Sequence, residues 1–313
     1  MATALRRPEP ASPGPAARLV GRLPPTSFFF VSAVFHYLGP AIAVLLFAHL
    51  SALGVMWLRI ATAAAVFAVW RRPWRVLSRL GPGQLAILAA LGVLLAVMNS
   101  VFYLAVARLP LATVGAIEFL GTVVLATLGV RTLRNAAALA LTVGGVALLT
   151  ALKLTAQPLG FALAFANCAA FTGYVMLGHR IANSQAGTER TSSPVASAGI
   201  DQLGAAMIIA ALVATPAGFS GALPAFSHPL WLAWGIGVGV CSSVIPYVTD
   251  QLAMARLPRA TFALMLALLP ACAAVIGAVV LRQFPGPGEL GGIALVVLGL
   301  LAHQDSRSER ART

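Results

Sequence analysis

The sequence predicts an all-α membrane protein of ten transmembrane helices, arranged as two inverted five-helix repeats. Three observations carry that reading. The 313 residues are 59% hydrophobic and 9% charged, with a mean hydropathy of +0.91. A soluble domain carries about a quarter charged residues, so this chain cannot clothe a water-exposed surface. Apolar runs of about 20 residues recur along the chain, the length that crosses a bilayer core. Finally, "FYLAVARLPLAT" at 102–113 returns as "DQLAMARLPRAT" at 250–261, with eight of twelve positions identical and a displacement of 148 residues, close to half the chain.

Taken in order, residues 1–25 form a Pro-, Ala- and Arg-rich cytoplasmic tail with too little apolar surface to order itself. A cleavable signal is not expected, because the first apolar run is long and a second follows at once. The first segment, 27–48, holds His36 and Pro40, and the second, 51–70, holds Arg59. The third, 84–107, carries Asn99 and Tyr103 and ends in the first ARLP corner. The fourth, 110–130, opens on Pro110, which suits a first helical turn, and contains Glu118. The fifth, 135–152, and sixth, 159–180, meet at Lys153, and the seventh covers 195–215. The eighth, 230–252, holds Pro246, Tyr247 and Asp250; the ninth, 258–281, opens on Pro258 and contains Pro270; the tenth is 289–303. In lipid every backbone polar group must be satisfied internally, so each segment becomes a helix; none shows the period-two alternation of a barrel strand. A first repeat at 26–153, a second at 154–303 and a cytoplasmic tail at 304–313 follow.

Charge sets the orientation. With the N-terminus inside, cytoplasmic segments hold 17 of the 21 Lys and Arg residues, the outer segments hold Arg108, Lys153 and Arg282, and Arg59 lies within a span. That asymmetry places both termini in the cytoplasm. Five spans separate the two ARLP corners, an odd number, so the copies face opposite sides and the halves are inverted, the arrangement of secondary transporters. The net charge of +13 is spread singly between apolar runs, without the basic stripe that nucleic acid needs. Cys168, Cys241 and Cys272 lie in apolar runs with no metal-ligand or disulfide spacing, so no metal and no cofactor are expected. "GIGVGV" at 235–240 sits inside a span without a preceding strand and reads as close helix packing rather than a dinucleotide loop. No Walker, nucleophile-elbow or zinc-protease pattern occurs, and an enzyme is not expected.

An ionisable residue at a helix centre costs roughly 2.5–3.5 kcal/mol on insertion scales and calls for a reason. Glu118 serves either as a proton or substrate-amine site or as the partner of Arg59 in an ion pair joining two helices; Gly115, Gly121 and Thr122 on its face leave room beside it. Arg59 meets a substrate carboxylate, or that ion pair, or snorkels to an interface. Asp250 lies near the cytoplasmic surface, where solvation is the plainer account. Asn99 and Tyr103 share a face, as do Tyr247 and Gln251 displaced by 148; both pairs suit a cavity lining or interhelical hydrogen bonds. His36 reads as a packed, bonded residue ahead of a proton relay. Pro40, Pro246 and Pro270 interrupt their segments, freeing carbonyls or kinking the helix.

The stretches "WLRIA" (57–61), "MNSVFYLAVARLPLATVGAIEFLG" (98–121) and "IPYVTDQLAMARLPRATFALMLALLPACAAVIG" (245–277) resemble the drug/metabolite transporter superfamily, in its ten-helix EamA-type branch and within it the threonine/homoserine exporter type. The resemblance implies a bacterial inner-membrane exporter of a small polar metabolite such as an amino acid, driven by proton antiport. It implies a substrate site drawn from Arg59, Asn99, Phe102, Tyr103, Glu118, Pro246, Tyr247 and Asp250, with the substrate, protons and the bilayer as partners and a homodimer compatible. Thr122 stands where a proline is typical, Leu269 where the exporter type has Glu, and Arg282–Gln283 where it has Gly–Glu. The loss of two second-half carboxylates leaves the amino-acid assignment and the proton coupling open. An uncoupled channel, an exporter of another metabolite or drug, and a non-transporting assembly factor are the alternatives.

Overall fold

The computed structural model describes residues 24–78, 80–129, 132–151, 156–185, 195–254 and 268–302. Of the expected tails at 1–25 and 304–313 only Pro24 and Pro25 are described, Pro25 opening the first helix; Lys153 and the second ARLP corner with Pro258 also lie outside the described residues. Every described element is helical: α1 Pro25–Leu46, α2 Ala52–Arg71, a single turn α3 Trp74–Leu77, α4 Pro82–Val106, α5 Leu111–Glu118, α6 Leu120–Gly129, α7 Leu133–Ala151, α8 Pro158–Gln185, α9 Val195–Ser227, α10 Pro229–Gly239, a π-helical turn Val240–Val244, α11 Ile245–Met254, α12 Leu269–Leu281 and α13 Pro287–Ala302.

Seven of these helical stretches are long and apolar enough to cross a membrane: Ser27–Leu46, Ala52–Arg71, Pro82–Val106, Leu133–Ala151, Pro158–Leu177, Gly199–Ser227 and Pro229–Asp250. Three more apolar helices, Leu111–Leu125, Leu269–Leu281 and Pro287–Ala302, are shorter. The 16 residues of α13 rise about 24 Å, short of the ~30 Å hydrocarbon core. The fourth expected segment is broken at Phe119, between α5 and α6. The seventh does not stop at 215: α9 continues through Pro216 and Pro224 to Ser227. Its extension is held by α2. Gly54 and Gly221 approach so closely that a Cβ on Gly54 would overlap the Gly221 carbonyl, and the Trp57 indole N–H donates to Thr215 Oγ1 at 2.9 Å. At the other end of the same pair Arg71 Nε meets Asp201 Oδ1 at 2.5 Å. Tertiary packing thus overrides the helix-breaking tendency of the two prolines.

Helix packing follows a repeating order. α2 lies along α9, α7 along α13, and α5 against α12. α4 packs on α8, while α1 packs on the α10–α11 segment. α5 is buried around its whole circumference, Leu111 to Glu118, so it occupies the centre of the bundle. Its first N–H, on Leu111, donates to Gln283 Oε1 at 3.1 Å from across the bundle. Position 283 is therefore a helix cap, and the amide supplies the acceptor that a carboxylate would. α1 reaches the π turn at Gly39, where a Cβ would sit 2.7 Å from Ser242 N and 2.8 Å from its Cα.

Two predictions follow from this backbone. Arg282 takes the left-handed conformation at φ 53, which a glycine adopts without steric penalty. Arg282→Gly is expected to stabilise the detergent-purified protein by about 1 kcal/mol, read as a rise in unfolding temperature. Gly39→Ala is expected to cost about 1–3 kcal/mol, because backbone as well as the Ser242 hydroxyl stands in the way of the methyl group; the same melting assay reads a fall.

Candidate functional site

The candidate side chains come from five helices, α1, α2, α4, α5 and α11, and the π turn meets Arg59. Arg59, midway along α2, is buried, with 6% of its surface exposed. It neither snorkels nor meets Glu118. Its Nε donates to Ser243 Oγ at 2.9 Å and its Nη2 to the Ser242 carbonyl at 3.1 Å. Both partners sit in the π turn. That carbonyl is available for a definite reason. In an α-helix the carbonyl of residue 242 would accept from the N–H of residue 246, and residue 246 is proline. The local widening to π geometry accommodates the ring, and Ile245 N–H turns to Val240 O instead. The Arg59 guanidinium also lies over the Tyr103 ring, 5.5 Å from its centroid.

Glu118 is the last residue of α5, at the break before α6, and is buried. Its Oε1 accepts from Asn167 Nδ2 on α8 at 3.2 Å. Among the described residues the ion pair formed is Arg71–Asp201, not Arg59–Glu118. The Arg59–Glu118 ion pair considered from the sequence is thus not made. Arg59 and Glu118 still lie within electrostatic range of each other, and Tyr247 lies within range of Arg59, Asp250, Glu118 and Tyr103. The space beside Gly115, one turn before Glu118, is filled: a Cβ there would sit 3.0 Å from the Tyr37 hydroxyl. The small residue is a packing requirement for α1.

The other candidates fall around this centre. Tyr103 is fully buried, with its ring edge-on to Phe47 at 6.0 Å. Asn99, one turn earlier on α4, is buried and donates within its own helix to Leu95 O at 2.8 Å. Tyr247 and Asp250 are half-buried on α11. Ser32 lies beside Asp250 and donates to the Pro246 carbonyl at 3.4 Å. His36 is half-buried and stacks edge-on against Tyr37 at 5.3 Å. Pro40 lies inside α1, next to the Gly39 contact. Pro270 is in the first turn of α12, where a missing N–H costs little. The side chains of Thr122 and Gln251 lie outside the described residues.

Four participants escaped sequence reasoning: Tyr37, Asn167, Ser242 and Ser243. Asn167 in "FANCAAF" carried a signal, an amide in an apolar span, but nothing in the sequence linked it to Glu118. The serine pair looked like ordinary small residues before the proline. Among the described residues, five buried side-chain atoms lack a hydrogen-bond partner of good geometry: Tyr37 Oη, Tyr103 Oη, Glu118 Oε2, Asn167 Oδ1 and Ser242 Oγ; of these, Tyr103 Oη and Ser242 Oγ lie close to each other and to Arg59. Burying such a group without a partner costs on the order of 1–3 kcal/mol each, so their gathering makes this place the candidate site.

Comparison with known proteins places this geometry in a family. No family model matches the chain. The threonine/homoserine exporter RhtA of Escherichia coli strain K12 is 30% identical over 262 residues, which cover 83% of this chain and 84% of that one. RhtA of Salmonella typhimurium strain LT2 is 31% identical over 263 residues, covering 83% and 82%. A solved crystal structure that is 17% identical superposes with a TM-score of 0.51, covering 92% of this chain and 99% of that one, a likeness of fold. The chain belongs to the family of the threonine/homoserine exporter RhtA, in the EamA-type branch of the drug/metabolite transporters, and is a multi-pass membrane transporter rather than an enzyme.

Proposed function

We propose that the protein is a secondary active transporter of the bacterial inner membrane that exports a small zwitterionic metabolite, an amino acid such as threonine or homoserine, in exchange for protons. The observation that carries this reading is the chemical division of the unpartnered buried atoms. Around Glu118 they are acceptors, Glu118 Oε2 and Asn167 Oδ1, with the Tyr37 hydroxyl nearby. Around Arg59 they are hydroxyls that can donate, Tyr103 Oη and Ser242 Oγ, beside a guanidinium. An ammonium group brings three donors and a carboxylate brings acceptors alone. An α-amino acid laid between the two groups would complement both. Asn99, Tyr247, Asp250 and His36 complete the surroundings, and Pro40 and Pro246 mark where helices deform around the ligand.

Coupling follows from the same carboxylate. A proton on Glu118 removes the negative charge that holds the ammonium, so proton and substrate exclude each other at one group. That exclusion is the least a proton-driven exchanger requires.

The ten-helix, inverted-repeat architecture belongs to this reading. A shift of five segments turns the α4–α8 contact into the contact of α10–α11 with α1, and it maps the pairs α2–α9, α5–α12 and α7–α13 onto themselves. The packing order therefore supports two inverted halves, 26–153 and 154–303, with alternating access about a midplane site. The distribution of Lys and Arg supports cytoplasmic termini.

Three outcomes are expected. Purified protein in proteoliposomes takes up labelled threonine or homoserine against an imposed proton gradient and shows counterflow, which a channel cannot. Glu118→Gln reduces this transport to background while the protein remains inserted and monodisperse; full activity in that variant would retire the proposal. A single cysteine introduced in the tail at 1–23, with Cys168, Cys241 and Cys272 replaced by serine, reacts with an impermeant maleimide in inverted vesicles and not in intact cells.

A further inference from the structure

The Arg59 contacts carry a consequence beyond substrate binding. Arg59 belongs to α2, and both of its hydrogen-bond partners belong to the π turn between α10 and α11. The same turn is also gripped by Gly39 of α1, which leaves no room for a methyl group against Ser242. The π turn is a defect in the helix, five residues long, and the buried Ser242 carbonyl lacks its α-helical donor because Pro246 has no N–H to give it. A buried guanidinium cannot be left without acceptors. It holds the π turn as long as no better acceptor is present, and a carboxylate is a better acceptor than a hydroxyl or a carbonyl.

We propose that Ser243 and the Ser242 carbonyl are the resting partners of Arg59, and that the substrate carboxylate displaces them and thereby releases the π turn and α11 from the Arg59 side chain, while α10 stays packed on α2 through Gly235 and Gly239. Binding and movement are then one exchange of hydrogen bonds. Nε and Nη2, the edge of the guanidinium that holds the turn, become the fork that holds the carboxylate. Closing the cycle requires the reverse exchange: Ser243 and Ser242 reclaim Arg59 and eject the carboxylate. Ser243 and Pro246 are thus positioning residues, acting on the substrate through Arg59. This inference rests on the zwitterion reading above, since it needs a carboxylate at Arg59.

The test compares binding with turnover in full-length protein, using threonine and homoserine as ligands. Dissociation constants come from titration in detergent and turnover from proteoliposome exchange. Ser243→Ala removes one resting partner. Pro246→Ala restores the N–H that ties up the Ser242 carbonyl within its own helix. In both variants the ligand is expected to bind roughly tenfold more tightly, the equivalent of one charge-assisted hydrogen bond no longer surrendered on binding. Turnover is expected to fall by a similar factor, because ejection is slowed. Arg59→Ala should lose binding. If Arg59→Ala loses binding while Ser243→Ala and Pro246→Ala weaken it or leave it unchanged, the exchange is overturned and the zwitterion site stands. If neither ligand binds the wild-type protein, or Arg59→Ala binds as the wild type does, both inferences fall together.

Discussion

An arginine in the middle of a helical membrane bundle is the constraint around which the site is arranged. A guanidinium has five N–H donors, cannot lose its proton, and must be met by acceptors wherever water is excluded. Here the acceptors are a serine hydroxyl and a backbone carbonyl on a distant part of the chain. The carbonyl is free because a proline follows four residues later. One substitution in the sequence, proline at 246, thus opens a helix at the place where a charge on another helix needs it. The contact of Gly39 with the same turn is the third part of this joint, since without that close approach α1 would stand off and leave the turn unsupported.

The second charge is treated differently. Glu118 ends a short, fully buried helix whose start is held by Gln283 and whose end meets Asn167. Both charges meet breaks in regular structure: Glu118 ends α5 at its junction with α6, and Arg59, within continuous α2, faces the π turn. Opposite charges this deep gain most by pairing directly, and a direct pair would close the site. Giving each charge its own neutral partners keeps them apart and leaves Glu118 Oε2 unpartnered.

Much of this was legible from residues alone. Hydropathy exposed the helices, and the rarity of charge in the spans singled out Arg59 and Glu118. Pro246 was recognisable as a source of free carbonyls. What was not legible is which group takes the carbonyl, because the partner lies 183 residues away and no local pattern encodes the pairing. The same holds for Asn167, 49 residues from Glu118. Boundaries failed where tertiary contact outweighs local preference: α9 passes two prolines because α2 lies along it, and a single segment becomes α5 and α6 at Phe119. Gln283 had the opposite fate. As a departure from the exporter pattern it suggested a lost functional carboxylate, and its place at the N-terminus of α5 makes it a capping residue one helix length away from Glu118.

These contacts also divide the molecule into parts that can and cannot shift. The pair α2–α9 is fastened near both ends, at Gly54–Gly221 and at Arg71–Asp201, and by Trp57–Thr215 between them. Relative sliding within that pair would break close backbone contacts and a hydrogen bond together. By contrast, the side chains of Arg59 and Glu118 are held by a few hydrogen bonds, two to the π turn and one to Asn167, and by a cation–π contact. Interactions of that sort can be exchanged one for another at little net cost, whereas close-packed surfaces cannot. In the proposed cycle, movement therefore belongs to α5–α6 and to the π turn with α11, turning against a scaffold in which α2, α9 and α10 remain together, since Gly235 and Gly239 of α10 lie close against Leu58, Thr62 and the Arg59 carbonyl of α2. Arg59 then has a place that follows from its position: it stands on the rigid element and holds the movable one, so whatever competes for its donors decides when the movable element is free.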